Sequence, residues 1–292
     1  MIEDGANLLL AGSEPALRAL PRGSWIGGTI PYFMTEKGGV LAESEIYANR
    51  LPDGVSVDRI SSYDAVNLSS VYEDAPADGI SFIVMPYGSE AHAAFAQGAP
   101  RYPAFATRPL VGWVSGVNLQ RLGVDTPKVF DGASGTSSSE NAVVLHAKLP
   151  AGIQARIDIV NLFEQDDSDV LTFAEEGFST REAYVNGLAV PLVDYLDSRS
   201  LKSDVPLVSS SYGAQINVSI RSIDRSTGMV SFYAPVFKET DYRFARPIKD
   251  YAHQFREAVS SAAKSSLFAC NCILNYLYGN LRVRPCQAQK GP

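Results

Sequence analysis

The chain has 292 residues, 46% hydrophobic and 20% charged, a composition typical of a globular protein and not of a disordered or fibrous one. Its 25 Lys and Arg against 32 Asp and Glu give a formal charge of -7, which disfavours nucleic-acid binding because phosphate contacts need a positive footprint. The start of the chain is acidic where a signal peptide would be basic, which predicts no secretion signal. No segment has the ~18 to 20 apolar residues that a membrane helix requires. The chain has only three cysteines, which favours the reducing cytoplasm.

The N-terminal third predicts strands that alternate with two helices. Residues 8–20 predict a strand and then a short helix with Ser13 as its N-cap. The segments "SWIGGTIPYF" and "EKGGVLAESEIYANRLP" predict strands of a mixed sheet separated by a turn at Gly38–Gly39. "GISFIVMP" predicts a buried strand, and "YGSEAHAAFAQGAP" predicts a helix that begins after Ser89 and ends at Gly98.

From Gly112 onward the pattern predicts mostly strands, among them "VGWVSGVNL", "PKVFDG", "NAVVLHAKLP" and "ARIDIVNLF". A turn at Asn186–Gly187 precedes a short helix, and "AQINVSIRSIDRSTGMVSFYAPVF" predicts a hairpin whose turn ends at Gly228. "PIKDYAHQFREAVSSAAKSS" is the clearest helix, because its apolar residues form one continuous stripe. The segments together predict an α+β fold with mixed, largely antiparallel sheets covered by helices.

The stretch "FACNC" places Cys270 and Cys272 one residue apart. A structural metal would need two more ligands and usually a wider spacing, and the three histidines, His92, His146 and His253, all lie more than ten residues away. A catalytic thiolate would need a base, which His253 on the preceding helix could supply. Because cysteine is most often a small buried hydrophobe, we predict a buried strand with reduced, metal-free cysteines and no catalytic residue.

The stretch "WIGGTIPYF" is the second candidate site. Gly27 and Gly28 allow a close approach of the backbone and supply amide donors, and Thr29 adds a hydroxyl, which together suit an anionic small ligand. The alternative is a tight bend that the strands need in any case.

The order of the segments resembles the FIST family of intracellular signal transduction domains. Three segments resemble the N-terminal half of that family: "ALPRGSWIGGTIPYF", "KVFDG" and "ENAVVLHAKL". Four further segments resemble its C-terminal half: "STREAYVNGLAVPLVDYL", "GMVSFYAPVF", the amphipathic helix and "SLFACNC". The resemblance covers residues 8–280 and implies two intertwined halves, 1–178 and 179–292, with the second expected to be incomplete or unusually finished at its C-terminus.

The resemblance also implies a function. It suggests a stand-alone cytoplasmic sensory protein that binds a small polar metabolite such as an amino acid, with a signalling protein as a partner and no cofactor. Cys270 and Asn271 would then line or support the ligand pocket, with Gly28 and Thr29 as candidates on the other half. A cysteine-dependent enzyme using Cys270 and a ligand-free protein interaction module are the alternatives. The tail from Arg282 onward is expected to be disordered or else to dock on the acidic body.

Overall fold

The computed structural model of the chain describes residues 1–35, 38–199, 205–211, 214–262 and 266–274. The chain divides into two compact units: unit 1 is Met1–Asp158 with Arg256–Pro292, and unit 2 is Ile159–Phe255. Residue 178, the expected end of the N-terminal half, lies inside unit 2. The sheets of both units are mostly antiparallel, and helices accompany them, so the predicted α+β class is confirmed.

Unit 1 contains two sheets and a separate hairpin. Its helices in the N-terminal part are α1 (Glu14–Arg18) and α2 (Glu90–Gly98). Its strands are β1 (Leu8–Gly12), β2 (Trp25–Thr29), β3 (Tyr32–Thr35), β4 (Gly38–Leu41), β5 (Ile46–Arg50), β6 (Ser56–Tyr63), β7 (Gly79–Pro86), β8 (Leu110–Ser115), β9 (Val129–Asp131), β10 (Thr136–Ser138) and β11 (Ala142–Lys148). Sheet 1 has the strand order β10-β9-β2-β1-β5, sheet 2 has the order β6-β11-β7-β8, and β3 pairs with β4.

Both predicted helices of this part are confirmed, with their caps. The Ser13 hydroxyl accepts a hydrogen bond from the Ala16 N–H, and the Ser89 hydroxyl accepts one from the His92 N–H. Each helix connects two parallel strands, β1 to β2 and β7 to β8. The turn predicted at Gly38–Gly39 is wrong, because both glycines already belong to β4 and lie opposite Thr35 and Met34.

The side-chain alternation of the strands builds two separate cores on the two faces of sheet 2. Val84 and Trp113 point into the core shared with sheet 1, where Ile26 also lies. Ile83 and Val144 point to the other face, which α2 and the 3-10 turn Asn67–Ser70 cover. Each fully buried aliphatic side chain stabilises the fold by about 1.5 to 3 kcal/mol.

Unit 2 is a smaller β-rich unit whose described residues include the short helix α3 (Leu192–Ser198). Its strands are β12 (Leu171–Thr172), β13 (Gly177–Thr180), β14 (Glu182–Val185), β15 (Leu188–Pro191), β16 (Leu207–Ser211), β17 (Ala214–Val218), β18 (Ile220–Asp224), β19 (Met229–Val236) and β20 (Tyr242–Phe244). They form one sheet of order β15-β14-β12-β20-β16-β17 and a second of order β13-β19-β18.

Two predicted turns of unit 2 are confirmed. Asn186 and Gly187 join β14 to β15 with φ values of +50° and +85°, as a two-residue hairpin turn requires. Gly228, with a φ of +69°, ends the turn between β18 and β19. The predicted long helix is also confirmed, as α4 (Tyr251–Ala262), with Phe255 and Val259 among its buried residues.

One predicted strand is wrong. The segment "ARIDIVNLF" pairs with no strand in the described part of the chain, and Ile157 and Ile159 on it are exposed. The tail from Arg282 lies outside the described residues. No helix within the described ranges is long and apolar enough to cross a membrane.

Candidate functional site

Residues 266–274, here called the covering segment, carry the two cysteines and lie against unit 1. The strand predicted for "FACNC" is wrong, because these residues join no sheet and only residues 273–274 are helical. The segment is held by side chains instead. Phe268 packs against the core shared by sheets 1 and 2, with its ring 5.6 Å from that of Phe82 and 6.0 Å from that of Trp113 between centroids. Cys270 packs on the same core, whereas Cys272 is exposed.

The environment of Cys270 is the opposite of one that activates a thiol. Burial raises the pKa of Cys270 to about 12, so the side chain is a neutral thiol at pH 7. The pKa of Tyr47 is raised as well, mainly by burial and further by the charge that Cys270 would carry as a thiolate. Within the described ranges, no group of three or more His, Cys, Asp or Glu side chains is placed to hold a metal ion.

Gly28 of sheet 1 lies in close contact with residues of sheet 2. A Cβ at this position would be 2.5 Å from Val84 Cγ1, 3.0 Å from Ser115 Cβ and 3.1 Å from Trp113 Nε1. Only glycine fits such a contact without displacing a neighbour. Since β2 is paired with β1 on one side and β9 on the other, the backbone groups of Gly27 and Gly28 serve the sheet and are not available to a ligand.

Thr29 faces the opposite side of sheet 1 from Gly28, as neighbouring residues of a strand do. Its hydroxyl accepts a hydrogen bond of 2.9 Å from the Lys128 N–H, and its carbonyl accepts one of 2.7 Å from the Gly116 N–H. The polar groups of Thr29 are therefore used in joining strands. The structure brings Gly28 and Cys270 to the same core and turns the Thr29 side chain away from it.

Trp113 and Ser115 are the residues of this region that the sequence reasoning missed. Trp113 is 8% exposed and Ser115 is fully buried, yet Trp113 Nε1 and Ser115 Oγ have no hydrogen-bond partner among the described residues. Both groups lie on one face of β8 and close to Gly28. The signal was present in "GWVSG", since a strand places residues two positions apart, here the second and the fourth, on the same face. Most buried polar groups in proteins are paired, so two such groups beside one glycine require an explanation.

The covering segment also bounds a small pocket. Asn271 and Cys272 line it from the segment, and Ile30 and Phe33 line it from the chain that follows β2. Its volume of about 20 Å³ is enough for about one water molecule. A metabolite therefore does not fit this pocket unless some of its lining residues move.

A second polar cluster, on the far face of sheet 2, resembles a hydrolytic relay in its order of groups. Ser81 Oγ lies 2.7 Å from His146 Nδ1, His146 Nε2 lies 2.9 Å from Tyr63 Oη, and Tyr63 donates to Asp74 at 2.9 Å. Arg59 forms an ion pair of 2.9 Å with Asp74.

This cluster is built for packing and not for hydrolysis. Ser81 and His146 are both fully buried, so no substrate can reach the serine. Burial lowers the pKa of His146 to about 4, which keeps the imidazole neutral at pH 7. Because Ser81 and His146 are directly opposite in β7 and β11, their hydrogen bond reinforces the strand register.

The comparisons with known proteins place the chain in a family but assign it no activity. The model described as Family of unknown function (DUF6976) matches residues 1–292, so the chain belongs to this family. No curated protein and no solved structure matches the chain.

Proposed function

We propose that this member of the family is a sensory protein that binds a small polar metabolite in unit 1 without converting it. The site is the region beside Gly28, with Trp113 Nε1 and Ser115 Oγ as its hydrogen-bonding groups. This region is too closely packed to admit even a Cβ at Gly28, so the ligand binds a second conformation in which it is open. One observation carries the proposal: two buried polar groups converge on one glycine without a partner among the described residues. A buried group left unpaired destabilises the fold by about 1 to 3 kcal/mol, and binding a ligand there removes that cost.

The two groups define the chemistry of the ligand. An indole N–H only donates a hydrogen bond, whereas a serine hydroxyl both donates and accepts. The ligand therefore carries an acceptor oxygen that both groups can reach, such as a carboxylate or carbonyl oxygen. Amino acids and small organic acids fit this description. They are also the kind of ligand that the resemblance to FIST domains implies.

The covering segment links binding to a change that a partner could recognise. Phe268 packs on Trp113 and has to move when a ligand approaches the indole N–H. A ligand shifts a conformational equilibrium only by its different affinity for the two states. Here the two states have the covering segment in place or displaced, and the ligand binds the displaced state more tightly. A cytoplasmic location and a signalling protein that recognises the segment belong to the same proposal.

An enzyme acting through Cys270 is the weaker alternative. A nucleophilic cysteine needs a lowered pKa and a base nearby, whereas burial raises the pKa of this thiol. We therefore assign Cys270 a packing role, in which it holds the covering segment against the core shared by sheets 1 and 2.

The proposal is tested by a thermal-shift screen with glycine, other amino acids, formate, acetate and small dicarboxylates. A compound that binds the folded state stabilises it by about 2.7 kcal/mol at a hundredfold excess over its dissociation constant. The Ser115→Ala variant should lose the response that the wild type gives. The matched control is Ser81→Ala, another fully buried serine on a neighbouring strand, which should keep the response. A screen in which no compound raises the melting temperature, or in which both variants respond equally, would count against the proposal.

A further inference from the structure

The connecting segment, residues 153–159, has the composition of a strand but no partner strand among the described residues. Ile153, Ile157 and Ile159 are 56%, 43% and 74% exposed. From residue 153 to residue 164 the chain runs without a turn, a bend or a paired strand in the described structure. None of the backbone N–H and C=O groups of residues 154–160 is hydrogen-bonded to another described residue. Such a row of free backbone groups beside exposed apolar side chains is a template for pairing with a second strand.

The side chains of the connecting segment already have the two-faced arrangement of a strand. Arg156 and Asp158 form an ion pair of 2.8 Å within the chain, which two residues on the same side of an extended segment can make. The isoleucines occupy the odd-numbered positions and therefore the opposite side. One face of the segment is thus apolar and the other is charged.

We propose that the connecting segments of two copies of this chain pair as antiparallel strands about Ile157. A two-fold axis at Ile157 places Arg156 of one copy opposite Asp158 of the other, and the reverse. On the apolar face it places Ile157 opposite itself and Ala155 opposite Ile159. The pairing therefore gives partners to the backbone groups along one edge of each segment, brings Ile157 and Ile159 into apolar contacts across the axis and opposes unlike charges.

Other alignments of the same two segments fail on these criteria. An axis at Arg156 or at Asp158 brings like charges face to face, which is destabilising. A shift by one residue sets isoleucine opposite aspartate, because it exchanges the two faces. Parallel pairing in register puts each arginine beside an arginine. An axis at Ala155 sets Ile153 opposite Ile157 but leaves Arg156 opposite Gln154 and Asp158 opposite Gly152, so it forms no pair of unlike charges. Of these registers only the one about Ile157 opposes unlike charges, and the occupant it fits is a second copy of this chain.

Sedimentation velocity of the full-length chain over a concentration series tests the proposal. We expect a reversible dimer for the wild type and a monomer for Ile157→Lys. Arg156→Asp should raise the dimer dissociation constant about tenfold, since two unlike pairs become like pairs. The double variant Arg156→Asp with Asp158→Arg restores the unlike pairs and should restore the dimer.

Val124→Lys is the matched control, because Val124 is likewise an exposed β-branched aliphatic residue but lies outside the connecting segment. It should dimerise like the wild type. Melting curves of all variants check that each is folded, which the exposure of these positions favours. A wild type that stays monomeric at its highest soluble concentration overturns the proposal, as does a dimer whose dissociation constant is unchanged by Arg156→Asp and Ile157→Lys.

Discussion

Phe268 and Trp113 pack with their ring centroids 6.0 Å apart and their planes inclined by 39°. This contact joins the covering segment to the residue whose indole N–H has no partner among the described residues. In the proposed function, Phe268 is displaced when a molecule reaches Trp113 Nε1, and this contact is what links the site to the C-terminal part of unit 1.

The Phe268→Ala change should have opposite effects on the stability of unit 1 and on its affinity for the ligand. Losing the aromatic contacts with Phe82 and Trp113 should destabilise unit 1 by about 1 to 3 kcal/mol. The same change should tighten the binding of any compound that stabilises the wild type. Only the open state binds, so the apparent affinity is the intrinsic affinity multiplied by the fraction of open protein, and Phe268→Ala raises that fraction. Leu267→Ala is the control, since Leu267 is 70% exposed. Calorimetric titration that finds weaker binding in Phe268→Ala would contradict the covering role.

Ser115→Ala and Ser81→Ala should change stability in opposite ways, although both serines are fully buried. Removing the Ser81 hydroxyl leaves His146 Nδ1 without its 2.7 Å partner and should cost about 1 to 3 kcal/mol. Removing the Ser115 hydroxyl takes away a group that has no described partner and should leave stability unchanged or raise it. Urea unfolding of the ligand-free proteins measures both. A loss of several kcal/mol in Ser115→Ala would mean that the hydroxyl is paired within the fold.

The stability of the protein should decrease in weak acid because of His146. Its pKa is about 4 in the folded protein and about 6.5 when unfolded, so the unfolded chain binds the extra proton between these values. The contribution of the neutral imidazole is therefore complete above pH ~6.5 and is lost as the pH falls toward ~4, at up to about 1.4 kcal/mol per pH unit.

Urea midpoints measured between pH 7 and pH 5 check this dependence, with His146→Gln as the comparison. The variant should show a smaller decrease over this interval, whatever its stability at pH 7. Equal slopes for the two proteins would show that His146 is not held neutral by burial.

The two described cysteines should differ in their reaction with iodoacetamide. Cys270 has a pKa raised to about 12 by burial, so almost none of it is thiolate at pH 7.5. Cys272 is exposed and should react much faster. Mass spectrometry of peptides from the native protein resolves the sites, and unfolding in urea should remove the difference. Faster labelling of Cys270 than of free cysteine would revive the enzyme alternative.

The sequence was sufficient where local chemistry decides the structure. Ser13 and Ser89 mark helix starts because a hydroxyl can accept from a free N–H of the first turn. Asn186 and Gly187 mark a hairpin because both tolerate a positive φ. Such signals lie within a few residues of one another and need no knowledge of the rest of the fold.

The sequence was insufficient where distant segments decide the structure. "FACNC" and "ARIDIVNLF" both have the composition of strands, but a strand forms only when another edge is available to pair with it. The convergence of Gly28, Trp113 and Ser115 depends on how sheets 1 and 2 face each other, which no local pattern contains. The alternation in "GWVSG" pointed to a shared face for Trp113 and Ser115, but not to what that face meets.

The most direct test of the proposed site uses the two indole N–H signals in a nitrogen-15 correlation spectrum of the full chain, since Trp25 and Trp113 are its only tryptophans. Trp25 is an internal control, because its Nε1 donates to the Pro21 carbonyl at 3.0 Å. Addition of a compound that raises the melting temperature should shift the Trp113 signal toward that of a hydrogen-bonded indole and leave the Trp25 signal in place. The Trp113 shift should be absent in Ser115→Ala. A stabilising compound that leaves the Trp113 signal unmoved would contradict the account.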